Sequence, residues 1–162
     1  MTVPEVTAYH ESGHALMAVV VGAQVDTLTI EPDYDDLPER SGDTKVRWEL
    51  SRFTQRELYE KMILVALAGP VAEMIYSGDP FHPGQLPEWA EDWSEAWTQA
   101  AHLISNEAKR MAYLEQTTAQ LHQLLSRDDY WAALAAISDE LLAHETIEGE
   151  QVAEITAIWL AN

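Results

Sequence analysis

The sequence predicts a mainly α-helical domain with one small β-hairpin. Apolar residues recur at helical spacing through most long segments. Only two short stretches alternate like strands, and a run of turn formers joins them. At 162 residues the chain has the length of one ordinary domain. Its 47% hydrophobic content suffices for a core, and a chain this long buries roughly 70% of its unfolded surface. No internal repeat, low-complexity tract or long linker divides it, so a single domain over 1–162 is expected.

The elements follow in order. From about Pro4 to Val21 the spacing of Ala8, Ala15, Ala18 and Val19 suits a helix, and Gly22 is a natural stop. Val25, Leu28 and Ile30, then Val46, Trp48 and Leu50, mark two strands. The segment EPDYDDLPERSGD between them predicts a long-looped hairpin. Thr54-Gln55-Arg56-Glu57 is a capping box, opening a helix through KMILVALAGPVAEMIYSG. Apolar residues on nearly every side of that helix predict burial, and Pro70 predicts a kink or a break. Asp79 to Pro87 reads as a loop with three prolines. One long helix is expected from Glu88 to about Tyr113, then helices over 115–126 and 128–145, and a last one near 148–160.

Charge and cysteine content narrow the function. Nine Lys and Arg face 28 Asp and Glu, for a net charge of −19. Such a chain cannot neutralise a row of phosphates, so nucleic acid is excluded as a general partner. It should also avoid anionic membranes. The apolar runs Ala15–Ala23 and Met62–Ala72 have nine and eleven residues, short of the roughly 20 that a membrane span needs. No segment resembles a targeting signal. The expectation is a soluble, cytoplasmic protein without direct membrane insertion. Cysteine is absent, so any metal must sit on His, Asp or Glu.

Residues 10–14 read His-Glu-Ser-Gly-His, the HExxH pattern. On a helix, positions four apart share a face, so His10 and His14 can bind one cation. Glu11 then lies beside the metal as general base and general acid. Zinc suits imidazole and carboxylate ligands in a four-coordinate site that keeps one position for water. The plainer reading is two surface histidines with ordinary polar partners. The metzincin extension is absent, because Met17 and Val20 stand where its glycine and third histidine would be. A third ligand must come from farther along. Glu73 and Asp92 are the two candidates, and spacing does not choose between them.

Four segments carry a resemblance. AYHESGHAL is similar to the zinc-site segment of the FtsH-type peptidase family, the proteolytic domain of membrane-anchored AAA+ proteases. ALAGPVAEMIYSG resembles that family's Gly-Arg-x-Ala-Glu-Glu helix, and AEDWSEAWTQAAHLI its Asn-Asp-x-x-x-Ala helix. LAHETIEGEQVAEI resembles its Glu-Thr-Leu-Asp-Gly-Glu-Glu segment. The resemblance covers most of the chain and implies a helical FtsH-peptidase-like fold. It places the metal ligands on His10, His14 and Asp92, the catalytic glutamate on Glu11, and Glu73 in the layer behind the ligands.

The resemblance further implies a Zn2+-dependent metalloendopeptidase acting on a polypeptide substrate. The chain contains no Gly-rich phosphate loop, its Gly69-Pro70 replaces the family's Gly-Arg, and the stretch before Asp92 is proline-rich. The expectation is therefore a stand-alone domain that cuts flexible or unfolded chains. A homo-oligomer or a separate ATPase partner are the expected assemblies. The alternatives are a non-proteolytic metal-containing binding or regulatory module, and a subunit working with a separate ATPase.

Other residues have simpler readings. Trp89, Trp93 and Trp97 recur every four positions and read as core, with lining of a substrate cleft as the alternative. Asp33, Asp35 and Asp36 fail the EF-hand pattern at Leu37 and Pro38, which leaves a solvated turn. His82 reads as a surface residue of the proline loop. His102, His122 and His144 have no partner at ligand spacing and read as structural or exposed.

Overall fold

The computed structural model describes residues 4–32, 42–78 and 89–160. Helix α1 (Pro4–Val20) is followed by strands β1 (Gln24–Thr29) and β2 (Asp43–Arg47), a 3-10 turn at Leu50–Arg52 and helix α2 (Gln55–Ser77). Helices α3 (Ala90–Ala101), α4 (Glu107–Leu125) and α5 (Asp128–His144) come next, then strand β3 (Thr146–Glu148) and helix α6 (Gly149–Trp159). The protein is mainly helical with a small antiparallel sheet, as the spacing predicts. No described helix is long and apolar enough to cross a membrane.

Helix α1 is the centre of the fold, packing on α2, α5, α6 and both hairpin strands. Ala8, Ala15, Leu16, Met17 and Ala18 are buried along it. It ends as expected at Gly22, whose φ of 95° is cheap only for glycine. Helix α2 runs beside it at a close approach set by small residues. A Cβ on Gly13 would overlap the Ala68 carbonyl and lie 2.9 Å from the Ala72 Cβ. This approach lets side chains of α1 reach the flank of α2.

The capping box of α2 is formed: the Thr54 hydroxyl accepts from the Glu57 amide, and the Glu57 carboxylate accepts from the Thr54 amide. Of the kink or break expected at Pro70, the break does not occur, because α2 continues through it to its cap at Gly78. Proline removes one helical hydrogen bond, but Ile63 and Val65–Met74 are buried around it. Tertiary packing outweighs that local cost.

The single long helix expected over 88–113 is also corrected. Helix α3 ends at Ala101, and α4 starts afresh with Asn106 as its cap, the Asn106 side chain accepting from the Lys109 amide. Arg110 closes the corner: it donates to the carbonyls of Ile104 and Ser105, and its guanidinium lies 4.6 Å from the Trp97 ring centroid.

The sheet has a third strand that the sequence reading missed. Its order is β2–β1–β3, all antiparallel. Leu28, fully buried, stands opposite Thr44 on one side and Ile147 on the other. Residues opposite each other share a sheet face, so Thr44 faces α1 together with Leu28. The acidic turn with Asp33, Asp35 and Asp36, and the proline loop with His82, lie outside the described residues.

Candidate metal centre

The two histidines of the motif sit one turn apart on α1 and face α2 and α3. His14 packs directly on the α2 backbone, since a Cβ on Gly69 would overlap its imidazole. Its Nδ1 donates to the Val65 carbonyl at 2.7 Å. A carbonyl only accepts, so Nδ1 carries a proton, and in its neutral form the ring turns a bare Nε2 inward. His10 has the same arrangement, its Nδ1 donating to Glu73 Oε1 at 3.1 Å.

Asp92, on the first turn of α3, closes the group. His10 Nε2 lies 2.8 Å from Asp92 Oδ2, His14 Nε2 lies 3.4 Å from the same oxygen, and the two Nε2 atoms are 3.2 Å apart. Ligand atoms about 2.0–2.1 Å from a tetrahedral zinc sit about 3.3 Å from one another. The triangle therefore matches one face of a zinc tetrahedron. Its three atoms are acceptors turned toward a common point, an arrangement that calls for protons or a cation. Among the described residues, His10, His14 and Asp92 are the group whose donor atoms converge in this way. The metal's identity rests on ligand chemistry alone, and zinc suits this set.

Electrostatics reflect the same demand for positive charge. Burial alone would raise the Asp92 pKa, but His14 and His10 outweigh it and hold the carboxyl well below its usual range. Burial alone would lower both histidines. The Asp92 and Glu73 hydrogen bonds overcome it for His10, and the Asp92 charge overcomes it for His14, so both pKa values are raised. Glu11 is 7% exposed. Burial raises its pKa, opposed by the two histidines and by the Thr44 hydroxyl.

The two acid candidates separate clearly. Glu73 accepts from His10 Nδ1 with one oxygen and from Trp89 Nε1 with the other, the latter at 2.6 Å. It stands behind His10, on the side of the ring away from Asp92. Glu11 lies beside the triangle, outside the converging group, with Thr44 Oγ1 donating to its Oε1 at 2.7 Å.

Two partners escaped the sequence reading. Thr44 reaches Glu11 only through the β1–β2 register, which no local pattern encodes. Trp89 read as core and is buried at 1% exposure, and its spacing of three from Asp92 was the available signal. Trp93 and Trp97 are half-buried against the core. His102, exposed, stacks on Tyr59 at 4.3 Å, His144 lies 3.5 Å from Glu140, and His122 is exposed. No protein-family profile matches this chain, and no curated protein matches it.

Proposed function

We propose that the protein is a zinc-dependent metalloendopeptidase of FtsH-like type, hydrolysing peptide bonds of flexible or unfolded polypeptides. One observation carries the reading. The two histidines of an HExxH helix and Asp92 present three acceptor atoms 2.8–3.4 Å apart, with the buried Glu11 carboxylate beside them and not among them. A binding site that needs only a cation has no use for a fourth, non-ligating carboxylate at that place.

His10, His14 and Asp92 would hold the ion. Once bound, zinc supplies Lewis acidity that activates water and polarises the scissile carbonyl. Glu11 takes the proton from the attacking water and delivers it to the departing amine nitrogen. Thr44 fixes one Glu11 oxygen and leaves the other for the proton transfer. The valine carbonyl and Glu73 keep both imidazoles in the ligating tautomer.

Substrate placement follows from the sheet. Strand β2 is an edge strand among the described residues and carries Thr44 against Glu11. An extended peptide pairing along this edge runs past the general base, the strand-addition mode of recognition. Only a chain with free backbone groups can pair in this way, which favours flexible substrates.

Cleavage of casein tests the reading. Zinc-loaded wild type should cut it, and both a chelator and Glu11→Gln should abolish cutting. A wild type that carries one zinc per chain and cuts nothing would overturn the peptidase assignment for the isolated chain and favour a binding module or a partner-dependent subunit.

A further inference from the structure

Trp89 stands at the junction of the three helices that build the centre. It occupies the N-cap position of α3, three residues before Asp92, and its indole is buried at 1% exposure. Positions three apart on a helix share a face, so the indole and the Asp92 carboxylate both meet the flank of α2 and α1. A site that needed only apolar volume would be served by a ring without a polar atom. A buried indole N–H requires an acceptor, and here the acceptor is Glu73 Oε2 at 2.6 Å. The other oxygen of the same carboxylate holds His10 Nδ1 at 3.1 Å, and His10 Nε2 faces Asp92 Oδ2 at 2.8 Å. The result is a closed circuit: Trp89 to Glu73, Glu73 to His10, His10 to Asp92, and Asp92 back along one turn of α3 to Trp89.

We propose that Trp89 is a positioning residue of the metal centre: its indole N–H orients the Glu73 carboxylate, which orients His10, and thereby ties the helix start carrying Asp92 to the ligand on α1. Without that donor, the Glu73 carboxylate is held only by His10 itself, and His10 loses the fixed partner that orients it. The ligand on α3 and the ligands on α1 then no longer approach one another in a fixed geometry. Orienting partners of this kind typically contribute 10–100-fold to metal affinity. The inference rests on the metal-binding part of the function proposed above and not on peptide cleavage.

The test is zinc affinity of the full chain, measured by competition with a chromophoric chelator. Trp89→Phe keeps the buried ring and removes the donor. Glu73→Met keeps the volume and removes both acceptors. Trp89→Phe should weaken zinc binding roughly 10–100-fold in the wild-type background and less than about threefold in the Glu73→Met background. Trp97→Phe, on the same helix but stacked under Arg110, should leave zinc affinity unchanged. Benzothienylalanine at position 89 replaces only the N–H with sulfur and should reproduce the Trp89→Phe loss, which guards against a phenylalanine variant that fails to fold. Equal losses in both backgrounds would reduce Trp89 to a packing residue and overturn the proposal. So would a wild-type affinity in either position-89 variant. A wild type that binds no zinc would overturn the metal reading itself.

Discussion

The Thr44 hydroxyl on β2 donates to Glu11 Oε1 at 2.7 Å, joining a strand that is an edge among the described residues to the carboxylate that lies beside the His10–His14–Asp92 group and outside it. Hydrogen bonds to charged groups contribute about 1.5–3 kcal/mol. Thr44→Val keeps the shape and removes the donor. It should lower kcat by about tenfold or more, leave zinc content at one per chain, and change KM little. Steady-state kinetics on a fluorogenic peptide, with zinc analysis of the same samples, checks this. An unchanged kcat would remove Thr44 from the machinery.

Gly69, within α2, and Gly78, at its C-cap, should behave oppositely. A Cβ at Gly69 overlaps the His14 imidazole, whereas nothing lies within 4 Å of one at Gly78. Gly69→Ala should displace His14 and weaken zinc binding by about 100-fold or more. Gly78 caps α2 at φ 72°, so Gly78→Ala should cost about 1 kcal/mol of stability and leave zinc affinity intact. Calorimetric melting and zinc titration of both variants separate the two effects.

Stability should depend on pH in opposite senses with and without metal. His10 and His14 have raised pKa values despite burial, so their contribution is full below about pH 6.5 and is lost as pH rises through the folded values. Glu11, raised by burial, acts in the same direction. Asp92, lowered, contributes above about pH 4 and loses its contribution only in stronger acid. The metal-free protein should therefore lose stability as pH rises above about 6.5, through the raised folded values of the two histidines. Zinc replaces the histidine protons, so the gain in Tm on adding zinc should grow over the same interval. A zinc increment independent of pH would mean that the ion sits elsewhere.

Glu145 adopts φ 65°, a left-handed backbone conformation at the end of α5, while its carbonyl accepts from Ile30 and Thr29. Such positions cost a side chain about 1 kcal/mol or more. Glu145→Gly should raise Tm by about 3 °C without altering zinc affinity. Thermal melting with and without zinc reads both quantities.

Much of the centre is legible in the residues because it is local. His10 and His14 are four apart on one helix, and helical geometry alone brings them together. The choice between Glu73 and Asp92 is not local. Both reach His10, from opposite sides of its ring, and only the packing of α3 on α2 decides which oxygen joins the two Nε2 atoms. Thr44 depends on a strand register across a long turn. Trp89 was visible as an apolar ring, but the partner of its N–H was not. In the fold, Pro70 does not break the helix, because one lost hydrogen bond weighs less than the burial around it. The α3–α4 corner misleads because Ala100, Leu103 and Ile104 continue a helical spacing that Asn106 interrupts by capping a new helix.

Crystals grown with zinc, measured on both sides of the zinc absorption edge, address the centre itself. The expected result is one anomalous peak per chain, about 2.0–2.1 Å from His10 Nε2, His14 Nε2 and an Asp92 carboxylate oxygen, with Glu11 beside it and Glu73 still behind His10. A folded chain with no peak at these three residues, or a peak bound by Glu73 in place of Asp92, would contradict the assignment.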